Sequence, residues 1–196
     1  MDKTYLINQL KNLSDEYKLG IPEEAIEKAI SFSRFKVYSK GEIVARTGDE
    51  TGSAGLVING VIRSYYIDND GNDITQFFAA EGSWCIDSGM FGFDEMQANW
   101  EAVEDTTVML FEVKNMKTLI YSEDKLKNIW IAALESGMRY KIYRENGFLV
   151  ETATERYLEF RKRYPKLSNR VPLRHIATYL GITPESLSRI RSSLKD

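Results

Sequence analysis

The chain has 196 residues, with 26 Lys and Arg against 29 Asp and Glu, a formal net charge of −3, and 43% hydrophobic residues. This is the balance of a globular protein with room for two small domains or one larger one, and it excludes collagen-like, fibrous and disordered classes. No window approaches the roughly eighteen apolar residues of a membrane span, the first residues lack the apolar run of a secretory signal, and a single cysteine, Cys85, excludes an internal disulfide or a four-cysteine metal or iron–sulfur site within one chain. The expectation is a cytoplasmic protein without membrane association, in which Cys85 is a buried thiol.

Residues 3–13 and 22–30 carry apolar residues at helical spacing, and Ile21-Pro22-Glu23-Glu24 reads as a helix entry. From Phe35 to Val113 the pattern changes to short β-branched and aromatic runs, FKVY, EIVA, GLVI, VIRSYYI, ITQFFA and TTVMLFEV, which predict strands. Gly41, Gly48, Gly60, Gly71 and Gly82 punctuate them, the last three at equal spacing, as the turns of an antiparallel roll or barrel would. Asp68-Asn-Asp-Gly71 is the clearest hairpin turn.

Asp124 to Gly147 places Leu126, Ile129, Trp130, Ala133, Leu134, Met138 and Ile142 three and four residues apart, which predicts a long helix. Its apolar stripe suits either intramolecular core or a homodimer seam, and a share of each is expected. A further helix starts at Glu151 and ends before Pro165.

Leu173 to Arg191 predicts a helix-turn-helix. Ile176, Leu180, Leu187 and Ile190 fall where two short crossing helices bury them against each other, and Ala177 is small at the closest approach. Gly181 suits the left-handed turn. Thr183 caps the second helix, Pro184 takes its first position and Glu185 its first turn. Glu185, Ser186, Ser188, Arg189 and Ser192 then form a polar face of the size that reads base edges in a major groove.

Charge is divided unevenly. From Phe148 onward there are ten Lys and Arg against five Asp and Glu, while residues 1–147 carry sixteen against twenty-four. Arg156, Arg161, Lys162, Arg163, Lys166, Arg170 and Arg174 lead into the motif as a phosphate footprint would. His175, the only histidine, is expected at the surface or on a phosphate. Nothing supports catalysis: there is no activated Ser or Cys nucleophile, no Walker-type glycine loop and no His, Cys and Asp cluster at metal spacing, so neither enzyme activity nor a cofactor nor a metal is expected.

The order of parts and several local strings resemble the Crp-Fnr superfamily, the cyclic-AMP receptor protein and its relatives. Tyr38-Ser-Lys-Gly-Glu-Ile-Val with Thr47-Gly-Asp49, Val57-Ile-Asn-Gly60-Val-Ile-Arg63 and Gln76-Phe-Phe through Gly82 are similar to that family's β-roll, and residues 172–194 to its DNA-binding helices. The resemblance implies an α+β chain with an N-terminal cyclic-nucleotide-binding-like β-roll (jelly roll) sensor over residues 1–122, a central dimerisation helix over 123–147, and a C-terminal winged helix-turn-helix over 148–196. It further implies a homodimer, double-stranded DNA as partner, and a small-molecule effector of unidentified kind. RNA polymerase is a further candidate partner, although no residues mark a surface for it.

Matched position by position, Glu185 and Arg189 stand where the family's recognition helices touch bases, while Pro184 replaces a frequent base-reading arginine, so a different operator is expected. The candidate DNA-binding set is Thr183, Glu185, Ser186, Ser188, Arg189 and Ser192, with Arg170 and Arg174 on phosphates. Cyclic-AMP-binding members carry a Gly-Glu pair and then an Arg followed by a small hydroxyl residue; here the stretches read Gly82-Ser-Trp-Cys85 and Gln97-Ala-Asn-Trp100. A buried phosphate without a cation is unfavourable, so no tight cyclic-nucleotide binding is expected. Ser83, Trp84, Asn99 and Trp100 are the candidate effector pocket. Trp84, Phe91, Phe93 and Trp100 suit an aromatic ligand, but for each of them core packing is the commoner use. The first functional expectation is a dimeric regulator reading a two-fold operator through Thr183–Ser193; the alternative is a ligand-sensing module that acts through protein partners.

Overall fold

The computed structural model describes residues 3–16, 19–85 and 87–194. Helices α1 (Lys3–Glu16) and α2 (Glu23–Ser31) lead into β1 (Ser33–Tyr38), β2 (Ile43–Ala45), β3 (Ser53–Asn59), β4 (Ile62–Ile67), β5 (Asp73–Ala79), β6 (Trp84–Cys85), β7 (Asn99–Ala102) and β8 (Thr106–Glu112). These pair antiparallel into two four-stranded sheets, ordered β1-β8-β3-β6 and β2-β7-β4-β5. The β-roll expectation holds. Strands β6 and β7 carried no run of β-branched residues and were not anticipated; Asn99–Ala102 alternates between half-buried and buried positions but spends two of its four residues on Asn and Glu.

The roll interior is filled by Tyr38, Val57, Ile62, Cys85, Met96, Trp100, Val108 and Leu110. The central strands of the first sheet, β3 and β8, are buried on both faces, because Leu56, Met109 and Phe111 point outward onto Ile26 and Ile30 of α2 and Met116 of α3 (Val113–Ser122). This explains why GLVI and TTVMLFEV read as continuous apolar runs instead of alternating. It also explains α3, another element not anticipated, which supplies part of that cover. Cys85 lies inside, and burial pushes its thiol up to about 12, so it is an inert packing group as expected.

Helix α4 (Asp124–Val150) is longer than its predicted span and carries the boundary expected at residue 147 inside its last turn. It is followed by α5 (Ala153–Arg163), α6 (Leu173–Leu180) and α7 (Pro184–Ser193). A capping box starts α5, where Thr152 Oγ1 accepts from the Glu155 amide and Glu155 returns a carboxylate to the Thr152 amide. The wing implied by the resemblance does not form: among the described residues every strand precedes Val113. The segment between α5 and α6 holds hydrogen-bonded turns around the buried Leu167, too short for a paired hairpin.

The outer face of the second sheet supports the C-terminal helices. Val61, Phe78 and Val103 share one core with Tyr157, Phe160, Leu167, Ile176, Tyr179, Leu180 and Leu187. Phe78 is fully enclosed, with ring centroids 5.5 Å from Tyr179, 6.1 Å from Phe160 and 6.2 Å from Tyr164.

Candidate nucleic-acid interface and sensor interior

Helices α6 and α7 have the expected anatomy. Ile176, Ala177, Leu180 and Leu187 are buried between them, and Gly181 takes φ +68°, where a Cβ would also meet the Phe148 ring at 3.0 Å. Thr183 Oγ1 accepts from the Ser186 amide at 3.2 Å, and Pro184 occupies the first helical position.

Leu187 is the only fully buried side chain of α7, so Glu185, Ser188, Arg189 and Ser192 face solvent together. Thr183 is exposed at the helix entry, and Ser186 is half-buried with its hydroxyl 3.4 Å from Arg189 Nη2. Glu185 is held below the usual carboxylate range by hydrogen bonding at its own amide and the Thr183 hydroxyl, with Arg189 a lesser cause. It is an acceptor only at neutral pH. Among the described residues no ion pair within 4.0 Å joins Glu185 to Arg189, so both heads are available to a ligand.

Arg174 is exposed at the start of α6, but Arg170 is not a free phosphate ligand. It clamps two carboxylates of the β-roll, Glu81 at 2.6 and 2.9 Å and Glu104 at Nε 3.2 Å, with a further close contact from Nη2 to Glu104. Its hydrogen bonds draw Glu81 down to about 2. One more of the basic residues leading into the motif is also spent internally, since Arg156 donates to the Leu180 and Glu151 carbonyls, while Arg163 is exposed with its guanidinium 4.0 Å from the Tyr140 ring centroid. Arg161, Lys162 and Lys166 remain exposed. The charge asymmetry therefore serves both solvent-facing contact and domain docking, two uses that a count of charges does not separate.

His175 is the clearest correction. It is 2% exposed, not a surface or phosphate-contacting residue. It faces the second sheet beside Arg63, itself 2% exposed, which donates to Asp73 at 2.5 Å, Glu101 at 2.7 Å and Thr75 at 3.1 Å. Nδ1 of His175 is buried without a partner, while Nε2 accepts from Arg174 Nε at 3.4 Å. Burial, with Arg63 second, lowers its pKa from 6.5 to about 4. The unfolded chain then binds the proton more readily than the folded one. Folding stability conferred by neutral His175 is complete above pH 6.5 and is lost as pH falls toward 4, on the order of 3 kcal/mol at the acid end. Urea titrations across pH 7 to 4 should show this loss in the parent and a smaller one in His175→Gln.

The four candidate effector residues do not form one pocket. Strand β6 alternates, so Cys85 enters the roll while Trp84 points outward, its ring 5.5 Å from Phe111. Trp100 is interior core, Asn99 Oδ1 accepts from the Thr47 amide at 3.1 Å, and Ser83 lies in a turn with its carbonyl accepting from Val57. Phe91 is half-exposed and stacks on Trp130 of α4. From Gly82 to Ala102 the chain carries four carboxylates and no Lys or Arg. One of them, Asp87, is buried and accepts from the amides of Gly52, Ser53 and Gly89. The sequence pointed to the missing cation, but not to this inward-facing acid.

Residues 35–123 match the family model of the cyclic nucleotide-binding domain. No curated protein sequence matches the chain. Among solved structures, FixK2 from Bradyrhizobium japonicum is 24% identical with a TM-score of 0.71, covering 83% of this chain and 84% of its own. A CooA mutant from Carboxydothermus hydrogenoformans is 20% identical with a TM-score of 0.69, covering 85% and 78%. The c-di-GMP-responsive global regulator CLP of Xanthomonas campestris is 16% identical with a TM-score of 0.69, covering 89% and 92%. The chain shares the fold of these structures, with its cyclic nucleotide-binding domain match confined to the β-roll and α3.

Proposed function

We propose that the protein is a transcription regulator that binds a two-fold related DNA site as a homodimer. The observation that carries this reading is α7, which is anchored by Leu187 and presents Glu185, Ser188, Arg189 and Ser192 on one open face. Arg189 has the donor fork for guanine O6 and N7, and Glu185 the acceptor for cytosine N4. Exposed Arg174, Arg161, Lys162 and Lys166 supply phosphate contacts. Arg170 is left out of the contact set because its partners are Glu81 and Glu104. Such a regulator works in the cytoplasm, with its DNA. Selection from random duplexes at moderate salt should enrich a palindrome with half-sites about 34 Å apart; recovery of no palindrome rejects the reading.

The homodimer rests on α4. Ile131, Leu134, Met138, Ile142 and Leu149 are exposed, and at 3.6 residues per turn they fall within about 80° of one another. The opposite side carries the buried Leu126 and Gly147 and the inward-facing Tyr140 and Arg144. The helix is thus apolar on two faces, one covered by its own chain and the other open to a second copy. Met138→Glu should convert the dimer to monomer in sedimentation velocity without changing the far-ultraviolet dichroism of the chain. A dimer that persists at micromolar concentration places the seam elsewhere.

The sensor is proposed to ignore cyclic nucleotides, since the chain from Gly82 to Ala102 offers no Lys or Arg to a phosphate and the interior is occupied by Trp100, Tyr38 and Met96. Calorimetry with cyclic AMP and cyclic GMP should give no saturable heat in the micromolar range; a clear isotherm overturns this.

A further inference from the structure

Strand β5 is the last strand of its sheet and pairs with β4 alone, so its outer side presents unpaired backbone groups. Two of those groups, the Thr75 amide and the Gln76 carbonyl, are met by helices. The Thr75 amide donates to Thr178 Oγ1 of α6 at 3.2 Å, and the Thr178 hydroxyl reaches Thr75 Oγ1 at 3.1 Å. The Gln76 carbonyl accepts from Arg144 of α4, whose other nitrogen donates to the Tyr179 carbonyl at 2.7 Å. Just past the strand, Glu81 is held by Arg170 from the segment that leads into α6.

We propose that α6 acts as the missing neighbour of β5, so that the open edge of the β-roll latches the helix-turn-helix in cis and sets its position. A helix that satisfies an edge amide and a hydroxyl at once cannot lift away without giving up both hydrogen bonds to Thr75 and uncovering the strand edge, so docking and protection of that edge are coupled. A displacement of β5 passes directly to α6 without travelling along α4. The latch also shields an edge that would otherwise pair with strands of other molecules. This inference concerns the attachment of α6 and stands whether or not α7 reads DNA.

Hydrogen exchange on the full chain tests it. Thr178→Val removes the hydroxyl and keeps the shape; Arg170→Ala removes the clamp without touching the strand. In both variants the amides from Thr75 to Phe78 should exchange at least tenfold faster, while those of Leu56 and Val57 in the other sheet keep their rates. Equal acceleration in both sheets, or none at β5, overturns the proposal.

Discussion

Arg189→Ala should abolish the preference for the selected operator while leaving the fold intact. A bidentate contact from arginine to guanine contributes about 1–3 kcal/mol of discrimination. A two-fold complex makes that contact twice, so the loss compounds to about 2–6 kcal/mol, or roughly 30-fold to 10⁴-fold in affinity for the specific site. Binding to random duplex should change far less, because phosphate contacts supply it. Arg189 is exposed and, among the described residues, its one side-chain hydrogen bond is the 3.4 Å approach to Ser186, so unfolding free energy should move by no more than about 0.5 kcal/mol. Arg174→Ala is the matched contrast. It should weaken binding to all sequences alike and reduce the salt slope by about one per subunit. A variant at Arg189 that retains base preference in a repeat selection removes α7 from the reading of sequence.

The two halves of the chain were not equally legible. In the helix-turn-helix each local choice agreed with the tertiary structure: Gly181 at the left-handed turn, Thr183 and Pro184 at the helix entry, Leu187 in the small core. Strands β3 and β8 were visible because burial on both faces demands apolar residues at consecutive positions. Strand β6 is two residues long and β7 is half polar, so periodicity had nothing to register. The candidate site divided in the same way. Exposure of Glu185, Ser188 and Arg189 follows from helical period alone, whereas the destinations of Arg170 and His175 depend on docking between segments far apart in sequence. Trp84 failed for a local reason: in a strand of two residues, either face is compatible with the sequence until the partner strand is known.

The docking surface makes Arg63 the residue with the largest expected effect on stability. Its guanidinium is enclosed beneath α6 and holds Asp73 and Glu101 on neighbouring strands, with Tyr65 stacked at 4.3 Å. Arg63→Ala leaves two carboxylates without their cation and opens a void against His175, and removing one partner of a buried pair costs about 3–5 kcal/mol. The side chain of Asp73 is 37% exposed and that of Glu101 16%, so water recovers part of the loss at Asp73 and the lower half of that range is expected. Urea denaturation should show it as a fall in midpoint at constant slope. Arg63→Met combined with Asp73→Asn and Glu101→Gln should recover most of the deficit, since it removes the stranded charges along with the cation and keeps apolar volume under α6. His175 provides an independent readout. Arg63 is one cause of its lowered pKa, so in Arg63→Met the imidazole should titrate nearer its ordinary value of 6.5, and the acid-driven loss of stability attributed to His175 should shrink. A variant as stable as the parent, or one whose histidine titrates unchanged, separates Arg63 from the docking of α6.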